Sequence, residues 1–118
     1  RERTAAAAHR QLPRRVRRLP RKLKNFPTVT EVSFLPDPRN HRTLMRLATL
    51  DRPGLLAEIG AIFEEGGIRL HNAKIATIGA LVDDVFFITT RNETPITAET
   101  SLRWLRAEIH RRLEQAGD

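Results

Sequence analysis

The chain contains no cysteine, which excludes a disulfide framework and thiol chemistry and suits a cytoplasmic location. It has no apolar run approaching the roughly 20 residues of a membrane span. Its basic start also lacks the apolar core of a signal peptide, so no membrane partner is expected. Aromatic residues make up only 5% of the 118 residues. A chain of this length supports one hydrophobic core rather than two. It opens on Arg1 rather than Met and reads as a fragment of a longer polypeptide.

The formal charge of +7 suggests a nucleic-acid binder until it is divided along the chain. Residues 1–28 carry ten Lys/Arg against Glu2 alone, a net +9, whereas residues 29–118 carry eleven against thirteen acidic residues, a net −2. The basic segment is interrupted by Pro13, Pro20 and Pro27 and has no interleaved aromatics on which bases could stack. It therefore reads as an interdomain linker, with the Ala5–Ala8 stretch the tail of a helix from a preceding domain. A nucleic-acid-binding arm is the alternative, and its binding would depend steeply on salt; no nucleic-acid partner is assigned.

Beyond residue 28 the periodicity changes repeatedly. Val29 to Leu35 alternates as a strand, Pro36 to Asn40 is turn-rich, and Thr43 to Leu50 is a second strand. From Gly54 to Glu65, Leu55, Leu56, Ile59, Ile62 and Phe63 form a helical stripe that Gly66-Gly67 terminates. Ile68 to Ile78 predicts a third strand with a bulge near Asn72. Leu81 to Thr90 predicts a fourth, apolar on both faces and hence central. Thr97 is the expected N-cap of a last helix carrying Glu99 in its first turn and Leu102, Leu105, Ile109 and Leu113 on its apolar face.

The order β-β-α-β-β-α predicts an α+β two-layer sandwich, with two helices on one face of a four-stranded antiparallel sheet. The arrangement is ferredoxin-like but permuted: no strand follows the last helix, and 29–35 takes the vacant edge. The predicted spatial order is 29–35, 43–50, 81–90, 68–78. The edge at 68–78 is then left open for a second domain.

The segment Leu50-Asp51-Arg52-Pro53-Gly54-Leu55-Leu56 joins the second strand to the first helix. A Pro-Gly step there predicts a first helical turn with open backbone N–H groups, suited to a carboxylate. Asp51 has two uses open to it: capping the helix, or pairing with a ligand's cation. Other chemistry finds no support in the residue pattern. His9, His41, His71 and His110 lack metal-ligand spacing. Asp83 and Asp84 are adjacent on a strand and point to opposite faces, so they read as a charged strand entrance. Gly54 to Gly60 lacks the Lys-Ser/Thr of a phosphate loop. No Ser/His/Asp arrangement can be assembled. Trp104 reads as packing or interface.

Leu50 to Leu56 together with Ile68-Arg69-Leu70-His71-Asn72-Ala73-Lys74-Ile75-Ala76-Thr77-Ile78-Gly79 resembles an ACT domain, the amino-acid-sensing module of metabolic enzymes. Arg21 to Phe26, Thr30 to Pro36 and Val82 to Phe86 narrow the likeness. They are similar to the C-terminal end of the bacterial bifunctional uridylyltransferase/uridylyl-removing enzymes that act on the PII signal protein. The resemblance spans about residues 18 to 113.

It implies a parent with nucleotidyltransferase and HD-type hydrolase domains, magnesium-dependent, followed by two ACT domains that read glutamine. It would make 29–118 the last ACT domain and 1–28 the linker with the tail of the preceding one. Neither catalytic centre nor any cofactor is expected in this fragment. The implied ligand-binding residues are Asp51, Pro53, Gly54, Leu55, Leu56, His71 and Asn72. The amides of Gly54, Leu55 and Leu56 suit glutamine's carboxylate, Asp51 its ammonium and Asn72 its side-chain amide; Arg69 is a weaker candidate. The expected partners are glutamine, PII through the parent, and another ACT domain. The alternative is an ACT module that only dimerises and binds no ligand.

Overall fold

A computed structural model describes residues 30–116. The segment 1–28, read above as a linker, lies outside the described residues. Strand β1 (Glu31–Asp37) and strand β2 (Arg42–Leu50) form a hairpin across the turn Pro38–Asn40. Helix α1 (Leu55–Glu65) follows, then β3 (Ile68–Lys74), the short β4 (Thr77–Ile78), β5 (Leu81–Thr90) and helix α2 (Glu99–Ala116). All pairings are antiparallel and the main order is β1-β2-β5-β3, as the sequence predicts, with β4 folding back on the start of β5.

Period-two burial shows which face is which. Val32 on β1, Met45 and Leu47 on β2, and Val82, Phe86 and Ile88 on β5 are buried on the helix face. Helix α1 meets them with Leu55, Ile59, Ile62 and Phe63, spaced so that one stripe faces the sheet. Helix α2 adds Leu105, Ile109 and Leu113. Phe63 meets Phe86 edge to face, with ring centroids 5.7 Å apart. The architecture is the α+β sandwich expected, consistent with the ferredoxin-like fold of ACT domains.

Strand β5 is central, as its apolar residues on both faces predict, and on the open side of the sheet Val85 and Phe87 are half-buried. There Arg42 lies 5.0 Å and Lys74 5.8 Å from the Phe87 ring centroid. Long cationic side chains cover the ring where a second layer of apolar residues would otherwise be needed.

Four details correct the linear reading. Pro53 is not in the first helical turn, because α1 begins at Leu55 with Gly54 as its N-cap. Thr97 is not the cap of α2, since the helix starts at Glu99 and the Ala98 carbonyl accepts the first bonds, from Ser101 and Leu102. Strand β1 runs on to Asp37, so only Pro38–Asn40 make the turn. The run 68–78 is broken at Ile75 and Ala76. The Ala76 N–H there donates to Asp84 Oδ1 at 3.1 Å instead of joining the ladder. The bulge near Asn72 is present as a register shift between Leu70 and Asn72.

Candidate functional site

The residues Arg52-Pro53-Gly54-Leu55 form a tight turn whose Leu55 N–H reaches the Arg52 carbonyl at 3.3 Å. Gly54 sits at φ 78°, ψ 8°, the third position of a type II turn, where a side chain is strained and glycine is not. Proline at the second position presets the other half of that turn. The Pro-Gly step is thus a β-turn that delivers the chain to the helix. Arg52 anchors it from the side, its Nη1 donating to the Leu113 carbonyl of α2 at 3.0 Å.

The turn settles which amides are open. The Leu55 N–H is engaged within it, and Glu58 N–H donates to the Gly54 carbonyl at 2.9 Å. No side chain among the described residues caps the helix, so the N–H groups of Leu56 and Ala57 are left with the positive end of the helix dipole. Asp51 does not serve as a cap, although its own N–H is held by the Ala80 carbonyl at 2.8 Å.

These residues border a cavity of about 270 Å³ to which Asp51, Gly54, Leu55 and Leu56 contribute from the loop and helix. Ile75 closes it from the β3–β4 connection, Thr77 from the start of β4, and Val82 and Asp84 from β5. Leu56 is about half exposed, at 49%.

Asp84 is the residue that linear reading missed. Asp83 fits the charged-entrance reading: it faces the open side and accepts from Arg46 at 2.8 and 2.6 Å. Asp84 faces the helices, pairs in register with Leu47, and is 1% exposed. The other buried polar side chains, all threonines, are satisfied. Thr30 bonds Thr49, Thr43 bonds the Ile96 backbone, and Thr89 bonds His71 and the Thr90 carbonyl. Asp84 Oδ2 has no partner among the described residues, a state shared only with the half-buried Arg42 Nε. Burial pushes the Asp84 carboxyl above its ordinary value; the Ala76 amide opposes this, while the charges of Asp83 and Asp51 add to it. The sequence signal was phase alone, since Asp84 shares the parity of the apolar residues Val82, Phe86 and Ile88.

Other candidates lie elsewhere. His71 bonds Thr89 Oγ1 through Nε2 at 2.7 Å and lines a separate cavity with Asn40, His41, Arg42 and Glu93. Asn72 Oδ1 accepts the Ala73 N–H at 2.8 Å, and Asn72 pairs with Phe87 across the ladder. Neither they nor Pro53 line the cavity at α1. Arg69 is exposed and pairs with Glu93 at 3.3 Å. Among the described residues no group of three or more His, Asp or Glu could hold a metal ion. Trp104, 39% exposed, packs over Gly66, where an added Cβ would come within 2.6 Å of its ring.

Fold and site define the class: a ferredoxin-like α+β sandwich with a small cavity at a helix start that no described side chain caps. The chain is homologous to a segment of bifunctional uridylyltransferase/uridylyl-removing enzymes. It is 42% identical over 98 residues to the enzyme of Methylococcus capsulatus (strain ATCC 33009 / NCIMB 11132 / Bath), covering 83% of this chain and 11% of the relative. Against the enzyme of Vibrio vulnificus (strain YJ016) it is 44% identical over 102 residues, 86% of this chain and 12% of the relative. The Ectopseudomonas mendocina (strain ymp) enzyme gives 44% over 99 residues, 84% and 11%. The chain thus spans about a tenth of the length of the relatives it matches. No protein-family model matches it. No helix among the described residues is long and apolar enough to cross a membrane.

Proposed function

We propose that this chain is the C-terminal ACT domain of a cytoplasmic enzyme that uridylylates and deuridylylates PII, and that it senses glutamine at the start of α1. The observation that carries this reading is the uncapped α1 N-terminus opening onto a cavity of about 270 Å³. Backbone donors and the helix dipole there suit a carboxylate. The carboxylates on the cavity wall suit an ammonium group. A free amino acid presents both charges at one carbon. The homologous segment in the relatives, 42–44% identical, favours a parent of their kind over an unrelated amino-acid-binding enzyme.

The domain has no chemistry of its own in this reading; its ligand shifts the parent between two domain arrangements. That shift is limited to the difference in the ligand's affinity for the two. The exposed edge strand β3, which carries His71 and Asn72, would receive a second ACT domain. Those two side chains then belong to the junction rather than to the cavity within one copy.

Isothermal titration of the 118-residue chain with L-glutamine tests the reading. Saturable heat with glutamine and a weaker response to L-glutamate is the expected result. Silence toward glutamine, or an equal response to both, counts against sensing. Silence accompanied by pairing in the ultracentrifuge would favour the module that only dimerises.

A further inference from the structure

We propose that Asp84 is the residue that selects for an ammonium group at the α1 cavity, so that the site takes free α-amino acids and rejects the same acids without their amine. The proposal rests on the binding reading above and names the side chain that would give it specificity.

Three observations place the role on Asp84. It lines the same cavity as the uncapped first turn of α1, so one small molecule can meet both. Among the described residues only one of its oxygens is used, Oδ1 by the Ala76 N–H, while Oδ2 is buried and has no partner there. The buried threonines, on either face of the sheet, all have partners, so the open valence is a property of this position. A buried carboxylate left half-satisfied is costly, and a cation brought to it recovers that cost.

Asp51, the carboxylate that the sequence suggests for this task, is exposed at the cavity's rim. Water and salt screen a charge held there. An ammonium beside Asp84 would instead meet its counter-charge out of water, where the attraction is strongest.

The geometry also limits what binds. A cavity of about 270 Å³ falls just below the usual range for drug-sized ligands, which fits a small metabolite. A dicarboxylate lacking an amine would set a second negative charge against Asp84. A site built around a charged hydrogen bond discriminates far better against its loss than an apolar pocket does against a missing methylene.

The test compares L-glutamine with glutaramic acid, which is glutamine without its α-ammonium, by titration into the 118-residue chain. Wild type should bind glutamine more tightly than glutaramic acid by about tenfold or more. Asp84→Asn, which keeps the Oδ1 acceptor for Ala76, should weaken glutamine by a similar factor and leave glutaramic acid within about threefold, removing the preference. Asp83→Asn, on the opposite face, should stay near wild type.

An Asp84→Asn chain that binds glutamine with wild-type affinity overturns the assignment while leaving glutamine binding itself intact. Equal binding of the two compounds by wild type does the same, and needs no variant to fold. Glutamine giving no heat with wild type overturns both this assignment and the sensing reading.

Discussion

Gly54 shows how one backbone angle shapes this site. At φ +78° with open space around the position where a Cβ would project, the residue is required by conformation and not by crowding. Gly54→Ala should therefore cost about 1–2 kcal/mol through backbone strain alone, with the helix retained. Urea unfolding monitored by circular dichroism would measure it; a neutral result would mean the turn can relax. Asp84 yields a second expectation at this scale. Its carboxyl is raised in the fold above its ordinary value of 3.8, chiefly by burial, with Asp83 and Asp51 adding to the rise. The folded chain thus holds that proton more tightly than the unfolded chain. The resulting stability is complete below about 3.8 and is lost as pH rises through the folded value. Calorimetry from pH 3.5 upward should show wild type falling behind Asp84→Asn; a gap that stays constant with pH would contradict it.

At the scale of elements, the two helices are joined by charge as well as by packing. Arg112 on α2 donates from Nη1 to Glu58 at 3.2 Å, from Nη2 to Glu65, and from Nε to Glu108 at 2.9 Å. Hydrogen bonds from Arg112 hold the Glu65 carboxyl below its ordinary value, and those from Arg111 and Arg112 do the same for Glu108. Arg112→Gln removes the cation from among three carboxylates. It should lower the melting temperature in dilute buffer, with a smaller loss in 1 M salt, where exposed charges are screened within roughly 3 Å. A lowered carboxyl contributes stability above its ordinary pKa and loses it as pH falls through the lowered value. The gap between variant and wild type should therefore close in acid, as parallel melts at pH 7 and pH 3 would show. Periodicity made both helices legible. The start of α1 was misplaced because Pro-Gly serves two geometries, a first helical turn and a type II turn, and only the φ of Gly54 tells them apart.

For the whole molecule, the decisive feature is closure of the sheet by its first strand. β1 pairs along its full length with β2 and inserts Val32 into the core, and Arg106 of α2 donates to the Val32 carbonyl at 3.1 Å. A chain shortened to begin at Pro38 would expose the β2 edge and the apolar surface that Val32 and Phe34 cover. It should lose its cooperative melt and associate, which scanning calorimetry with light scattering would reveal; a sharp unfolding transition in the shortened chain would show that β1 is dispensable. The cavity also belongs to this scale, because residues 51–57, 75–77 and 82–84 meet only once β2, β4 and β5 are in register.

The types of the elements, their order and the sheet's neighbours were legible along the chain, because apolar periodicity and Gly/Pro punctuation act between residues a few positions apart. Asp51, Gly54, Leu55 and Leu56 could be placed together for the same reason, being consecutive at one loop and helix start. What only the tertiary structure decided was which side chains from distant segments share a space. It put Asp84 beneath that loop, left His71 and Asn72 on the edge strand, and tied Arg52 to Leu113. Those placements follow from strand register and from the face each residue presents to the helices, and a shift of one residue in pairing would reverse them.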